Sequence, residues 1–222
     1  MNKTATKRRI ENAIRRFATA SSTKAFGLVP QSLTSGKLYE AHVLSIVLEK
    51  LATQEQFQIT LLNSNFIPLK SAPGPVNRKY PYFQLRRNGR TVAELWTDVE
   101  FTALSFSQRS GGTALQRGDY HELDLLVTDT GVTGRPSHTQ IWLGVECKNT
   151  GYTKSLLKEI LGIRRELSLL QNLRSTRFSK WPRSQVPAEP NSCLVVFSTD
   201  QAVSNYQSPG EVFGIDFIHE DI

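Results

Sequence analysis

Apolar positions recur at helical spacing in three stretches of the chain. In residues 3–20, Ile10, Ala13, Ile14 and Phe17 fall at i, i+3, i+4 and i+7 and predict an amphipathic helix, with Arg8, Arg9, Arg15 and Arg16 off the apolar stripe. Ser35-Gly36 opens a second predicted helix of about Lys37 to Ala52, with Leu44, Val47, Leu48 and Leu51 on its apolar face. Glu40 shares that face, at i−4 from Leu44 and i−7 from Val47, whereas Glu49 falls outside it. A third helix of about Lys154 to Leu170 has Leu156, Ile160, Ile163, Leu167 and Leu170 as its stripe, with Lys154, Lys158 and Arg165 away from it.

Elsewhere the pattern is that of strands. Residues 80–87 and 90–104 flank Asn88-Gly89, a two-residue hairpin signal. In the second arm Leu95, Val99, Phe101 and Ala103 alternate with Glu94, Trp96, Asp98 and Glu100, so a half-buried strand is predicted there, the first of a core sheet. Cys193-Leu-Val-Val-Phe-Ser reads as a fully buried strand, and Val212-Phe-Gly-Ile-Asp-Phe-Ile as a last one. Residues 68–79 and 179–192, each with three prolines, are connections, and residues 107–119 form a glycine-containing loop.

Two further apolar runs carry charge where a buried strand should carry none. They are His121-Glu-Leu-Asp-Leu-Leu-Val127 and Ile141-Trp-Leu-Gly-Val-Glu-Cys-Lys148. A buried carboxylate or ammonium is costly unless it is paired or binds metal. Side chains at i and i+2 of a strand share a face, so Glu146 and Lys148 point one way and Cys147 the other. The turn-like stretch 129–139 joins the two runs and brings Asp124 beside Glu146 and Lys148. Two carboxylates suit a hard divalent cation, and a lysine beside them can hold a water or a phosphate oxygen. The competing reading is a surface hairpin with an i,i+2 ion pair.

Asp124, followed by Glu146-Cys-Lys148 after an apolar run, resembles the PD-(D/E)XK nuclease superfamily, and the order helix, three strands, helix, strand is similar to that family's αβββαβ core. The resemblance covers about residues 36–200. It implies an α/β restriction-endonuclease-like fold, a mixed central sheet flanked by helices, to which the N-terminal basic helix is an addition. It implies a metal-dependent endonuclease that hydrolyses phosphodiester bonds of DNA. Asp124 and Glu146 would hold one or two Mg²⁺ or Mn²⁺ ions, with the carbonyl of Cys147 a further ligand. Glu40, at the start of the helix that precedes the sheet, would complete the shell directly or through water; read from the residues alone, it is equally a helix N-terminal acid placed by the macrodipole. Glu94 and Glu100 are rival ligands, and Asp119 and Glu122 lie near. Lys148 would orient or help deprotonate the attacking water and neutralise the transition state. Its carboxylate neighbours raise its pKa, which favours the electrostatic role. The 3′-oxygen is the expected leaving group of an in-line attack.

Charge adds a partner. The 222-residue chain has a formal charge of +7, and its distribution is uneven. Residues 1–30 carry seven basic residues against Glu11, residues 154–183 carry eight against Glu159 and Glu166, and residues 184–222 carry none against six acids. Clustered positive charge is the footprint of a polyanion binder, with Arg8, Arg9, Arg15, Arg16, Lys154 and Lys158 as the candidate nucleic-acid contacts. A solvated basic helix face is the plainer alternative. No apolar run is long enough to span a bilayer and no signal-peptide core is present, so a cytoplasmic protein with no membrane partner is expected. Cys147 and Cys193 read as small buried hydrophobes. No Walker-type, GxSxG, HExxH or paired CxxC motif occurs. We expect residues 1–30 to be a basic helical extension and residues 31–222 the nuclease-like domain, possible as a homodimer or in a larger nuclease assembly. The alternatives are a non-catalytic nucleic-acid-binding or assembly subunit of the same fold, and a nuclease acting on RNA.

Overall fold

The computed structural model describes residues 3–20, 29, 33–63, 69, 72–109 and 114–222. In chain order the elements are α1 (Lys3–Phe17), β1 (Ala18–Ala20), α2 (Ser35–Thr53), β2 (Gln58–Leu62), β3 (Tyr82–Arg87), β4 (Arg90–Thr102), α3 (Leu104–Ser107), β5 (Tyr120–Thr128), β6 (Ile141–Lys148), α4 (Lys154–Leu167), β7 (Leu169–Ser175), β8 (Gln185–Glu189), β9 (Cys193–Ser198), α5 (Gln207–Phe213) and β10 (Ile215–His219). Eight strands form one mixed sheet in the order β1-β2-β3-β4-β5-β6-β9-β10, and β7 and β8 form a separate hairpin. Strands β2 to β6 pair antiparallel; β1 with β2, β6 with β9 and β9 with β10 pair parallel. The chain is therefore α/β, with a mixed central sheet flanked by helices. No described helix is long and apolar enough to cross a membrane.

Each face of the sheet buries its own core. Ile10 and Ile14 of α1, with Leu44, Val47, Leu48 and Leu51 of α2, cover one face. Ile160, Ile163 and Leu167 of α4 cover the other. Thr34 caps α2, its Oγ1 accepting the N–H of Lys37, which satisfies one of the free donors of the first turn. The Asn88-Gly89 turn forms as expected, with φ of 51° and 75°, values that suit a two-residue hairpin loop. A Cβ at Gly144 of β6 would stand 2.7 Å from Leu123 Cδ1, so any larger residue there would have to displace the buried Leu123 side chain.

Several expectations change. The predicted helix over 3–20 ends at Phe17, and residues 18–20 join the central sheet beside β2, so residues 3–20 pack on the same sheet and core as the other described elements. Strand β4 is buried on both faces: Glu94, Trp96 and Asp98 are as enclosed as Leu95 and Val99. Helix α4 stops at Leu167, and Leu170 stands 53% exposed on β7, because the β7–β8 hairpin starts there. Val212 and Phe213 end α5 rather than begin a strand; Gly214 at φ 67° caps the helix and releases the chain into β10. Arg164, counted above with the basic cluster, is buried. Residues 110–113 of the expected glycine-containing loop lie outside the described residues.

Glu55, just after α2, ties the two ends of one face together. Its buried carboxylate accepts the N–H groups of Ser179, Lys180 and Trp181 and the guanidinium of Arg87. These donors outweigh burial and hold the carboxyl below the usual range. Replacing a buried acceptor strands its donors. Glu55→Ala is expected to cost about 3 kcal/mol of stability, measurable by urea unfolding; a loss below about 1 kcal/mol would mean that water replaces the carboxylate.

Candidate metal and catalytic centre

The site is built where the strand pattern breaks. Ala93 and Leu95 of β4 face the α2 core, whereas Val99 and Phe101 face the α4 core. Strict alternation would put all four on one side. Strand β5 slips at the same level: Leu125 and Val127 face one core and Leu123 the other. Pairs Thr97–Leu125 and Val99–Leu123 bracket the slip, so Asp98 and Asp124 stand opposite each other. Asp98 has φ of 52°, a backbone state that non-glycine residues seldom adopt and that gathers at functional sites.

On its other side, β5 parts from β6. Their pairing ends at Leu125–Val145, and the next residues in line are Asp124 and Glu146. In place of a ladder bond, Asp124 Oδ2 accepts the N–H of Cys147 at 2.7 Å. Asp98, Asp124 and Glu146 thus stand at one level across three neighbouring strands. The first turn of α2 comes over them. Glu40, Asp98 and Asp124 offer carboxylate oxygens within 4.8 Å of one another. Lys37 Nζ lies 2.6 Å from Glu40 Oε2 and 2.5 Å from Asp98 Oδ1.

Toward α4 the fork opens into a cleft of about 430 Å³, lined by His121, Glu122, Asp124, Glu146, Cys147, Lys148, Glu159, Gly162 and Ile163. Lys148 Nζ lies 2.9 Å from Glu146 and 2.9 Å from Glu159. Cys147 turns away and packs against the α2 core, as strand alternation predicts.

Electrostatics follow from crowding under burial. Burial, then Asp124, pushes Glu40 up to about 7 against the pull of Lys37. Burial and Asp124 also drive Glu146 above the carboxylate range, with Lys148 opposing. Asp124 is raised by burial despite the Cys147 N–H and the two lysines. Glu122 is raised by burial, then by Asp124 and Asp98. Burial lowers Lys148, but Glu146 and Glu159 outweigh it and keep the ammonium charged. Excess negative charge that the protein itself does not neutralise suits a cation.

Among the sequence candidates, Glu40, Asp124, Glu146, Cys147 and Lys148 therefore converge. Glu94, Glu100 and Asp119 are each held by an arginine instead: Arg78, Arg135 and Arg109, at 2.8, 2.6 and 2.5 Å. Glu122 lies on the cleft wall. Asp98 and Lys37 were not singled out. Alternation places Asp98 on the solvated side of a half-buried strand. It stands beside Thr97 and between Glu94 and Glu100, so unlike Asp124 it does not break an apolar run, and no signal in the residue pattern marks it. Lys37 sits in the first turn of a helix, where a cation opposes the macrodipole. Arg8, Arg9, Arg15, Arg16, Lys154 and Lys158 are all exposed, on α1 and α4. No protein-family model matches the chain, and no curated protein or solved structure matches it either.

Proposed function

We propose that the protein is a metal-dependent nuclease that hydrolyses phosphodiester bonds, with DNA the favoured substrate. The observation that carries the reading is Asp124, fixed at a strand fork between Glu40 and Asp98 on one side and Glu146 and Lys148 on the other. With β2, β3, α3 and the β7–β8 hairpin set aside as additions, the order α2, β4, β5, β6, α4, β9 agrees with what the resemblance to the PD-(D/E)XK superfamily implies, and the Asp124…Glu146-Cys147-Lys148 motif falls on β5 and β6.

The donor set fits Mg²⁺ or Mn²⁺: hard carboxylate oxygens, more negative charge than the lysines offset, and no soft ligand but an inward-turned thiol. Asp124 with Glu146 and the Cys147 carbonyl would hold one ion; Asp124 with Glu40 and Asp98 would hold a second. When bound, such an ion supplies an acidified water and stabilises charge on the phosphate. Lys37 stands between Glu40 and Asp98 as their internal counter-charge, and its long stem allows it to swing aside. Lys148, charged throughout the working pH range, is set to hold a phosphate oxygen and to neutralise the negative charge that grows on the phosphate. It is not poised to take a proton. Glu159 shares Lys148 from α4 and keeps the ammonium over the cleft.

The direct test is incubation with supercoiled plasmid DNA with and without Mg²⁺ or Mn²⁺. Cation-dependent nicking or linearisation that Lys148→Ala removes, with folding and most DNA binding retained, is expected. No cleavage with any divalent cation, alongside tight DNA binding, would instead make this chain a binding subunit. A parallel assay on single-stranded RNA decides between the two polymers.

Binding should weaken steeply with salt, because phosphate contacts by lysine and arginine release counterions. Changing Arg8, Arg9, Arg15 and Arg16 together to glutamine should flatten that dependence and weaken binding roughly tenfold or more, while the single-turnover rate at saturation changes little. Unchanged affinity would make the exposed face of α1 a solvated surface or the site of another partner.

A further inference from the structure

Away from the carboxylate centre, a cavity of about 180 Å³ lies where α4, the β7–β8 hairpin and the end of α5 meet. Its walls are apolar: Leu161, Leu170, Pro187, Ala188 and Phe213. Arg164 is also among its lining residues. That side chain is only 4% exposed. Nη1 donates to the Ser192 carbonyl at 2.9 Å, and Nη2 is buried with no partner. Among the described residues no carboxylate forms an ion pair with it. Arg165, exposed on the cavity rim, adds to the local positive charge.

A buried guanidinium with one neutral acceptor and no counter-charge is a costly arrangement. Proteins keep buried charge where it is paired or where it binds something. Ser168 does not relieve it: its hydroxyl bonds the Pro190 carbonyl and the Ser192 hydroxyl, and Nη2 makes no bond to it. The rest of the molecule shows the contrast: Arg78, Arg87 and Arg183 each meet a carboxylate. Leu170 on the rim, 53% exposed, leaves apolar surface for a ligand to cover.

We infer that this cavity is a binding site for a small organic acid, one carboxylate on an apolar body. The carboxylate would take the free Nη2 of Arg164 in the forked geometry that guanidinium favours. The apolar body would lie between Leu161, Leu170, Pro187 and Phe213. Such a site stands apart from the nuclease reading and uses none of its residues. A bare inorganic anion would satisfy the charge and waste the walls; a neutral apolar molecule would satisfy the walls and leave Arg164 unpaired.

The test uses the full-length protein and three probes: 4-phenylbutyrate, its neutral amide, and inorganic phosphate. Binding is read by calorimetry and by ligand-observed NMR. The acid should bind at least tenfold more tightly than either the amide or phosphate. Arg164→Met, which keeps the length and removes the charge, should abolish that preference. Leu170→Glu, at an exposed rim position that tolerates charge, should supply an internal carboxylate and exclude the acid. Should Arg164→Met fail to fold, Leu170→Glu still gives the answer. Equal binding of acid and amide, no binding of the acid at millimolar concentration, or acid binding unaffected by Leu170→Glu would each overturn the inference.

Discussion

Asp124→Asn should lower cation-dependent DNA cleavage by roughly a thousandfold or more, more than any other single change in the centre. The reason is position. Glu40 and Asp98 reach only one side of the fork, and Glu146 reaches only the other, whereas Asp124 belongs to both. Asparagine keeps the size of the side chain and an oxygen that can still accept the Cys147 N–H, so the fork should stay closed at 2.7 Å. What is lost is the negative charge that any shared cation needs. The melting temperature of the metal-free variant should equal or exceed that of the wild type, because burial already raises the Asp124 pKa. DNA binding in Ca²⁺ should survive through the exposed arginines and lysines. Rates should rank wild type above Glu40→Gln, and Glu40→Gln above Asp124→Asn. Cleavage by Asp124→Asn within tenfold of wild type would remove Asp124 from the reaction and the centre with it.

The two motif strands were legible because buried charge is rare. Glu146 and Lys148 each interrupt an apolar run at positions that alternation puts on one face, and the structure has their charges 2.9 Å apart. Glu40 was legible from helical spacing, since a carboxylate in line with Leu44 and Val47 has to face inward. Asp98 escaped because alternation was extended too far. The slip at Asp98 and Asp124 depends on one residue at positive φ in the middle of a strand, and nothing in the residue pattern marks it. The fork between β5 and β6 escaped for a related reason, because a ladder that ends early looks the same in sequence as one that runs on.

Element boundaries failed where two apolar segments abut. Val212-Phe213 and Ile215 read as one strand, and the left-handed Gly214 between them is what separates helix from strand. Leu170 continues the apolar spacing of α4, but Ser168 turns the chain and spends its hydroxyl on the Pro190 carbonyl. The β7–β8 hairpin was hidden among prolines that fit a connection equally well. Arg164 shows the limit of charge counting: composition cannot tell a solvated arginine from one on the buried face of its own helix.

Glu40→Gln should stabilise the metal-free protein, and the gain should depend on pH in a stated direction. The Glu40 carboxyl stands at about 7 in the folded protein, against an ordinary value of 4.5. A carboxyl raised on folding lowers stability wherever it is ionised in both states. That penalty is full above the folded value and fades as pH falls toward the unfolded one. At ~1.4 kcal/mol per pH unit, the move from 4.5 to about 7 costs at most about 3.5 kcal/mol. Glutamine removes the ionisation, and its amide oxygen can still accept from Lys37, which Asp98 also holds. The variant should therefore melt roughly 5 °C above wild type at pH 8, and the difference should vanish near pH 4.5. Mn²⁺ should reverse the order at pH 8. A ligand that binds only the folded state stabilises in proportion to the logarithm of its occupancy, and wild type, with the third carboxylate, should gain more than the variant. Melting curves at four pH values with and without Mn²⁺ separate the cases. A wild type and variant that melt together at pH 8, and respond equally to Mn²⁺, would return Glu40 to the role of a helix-end acid and leave Asp98 and Glu122 as the remaining partners of Asp124.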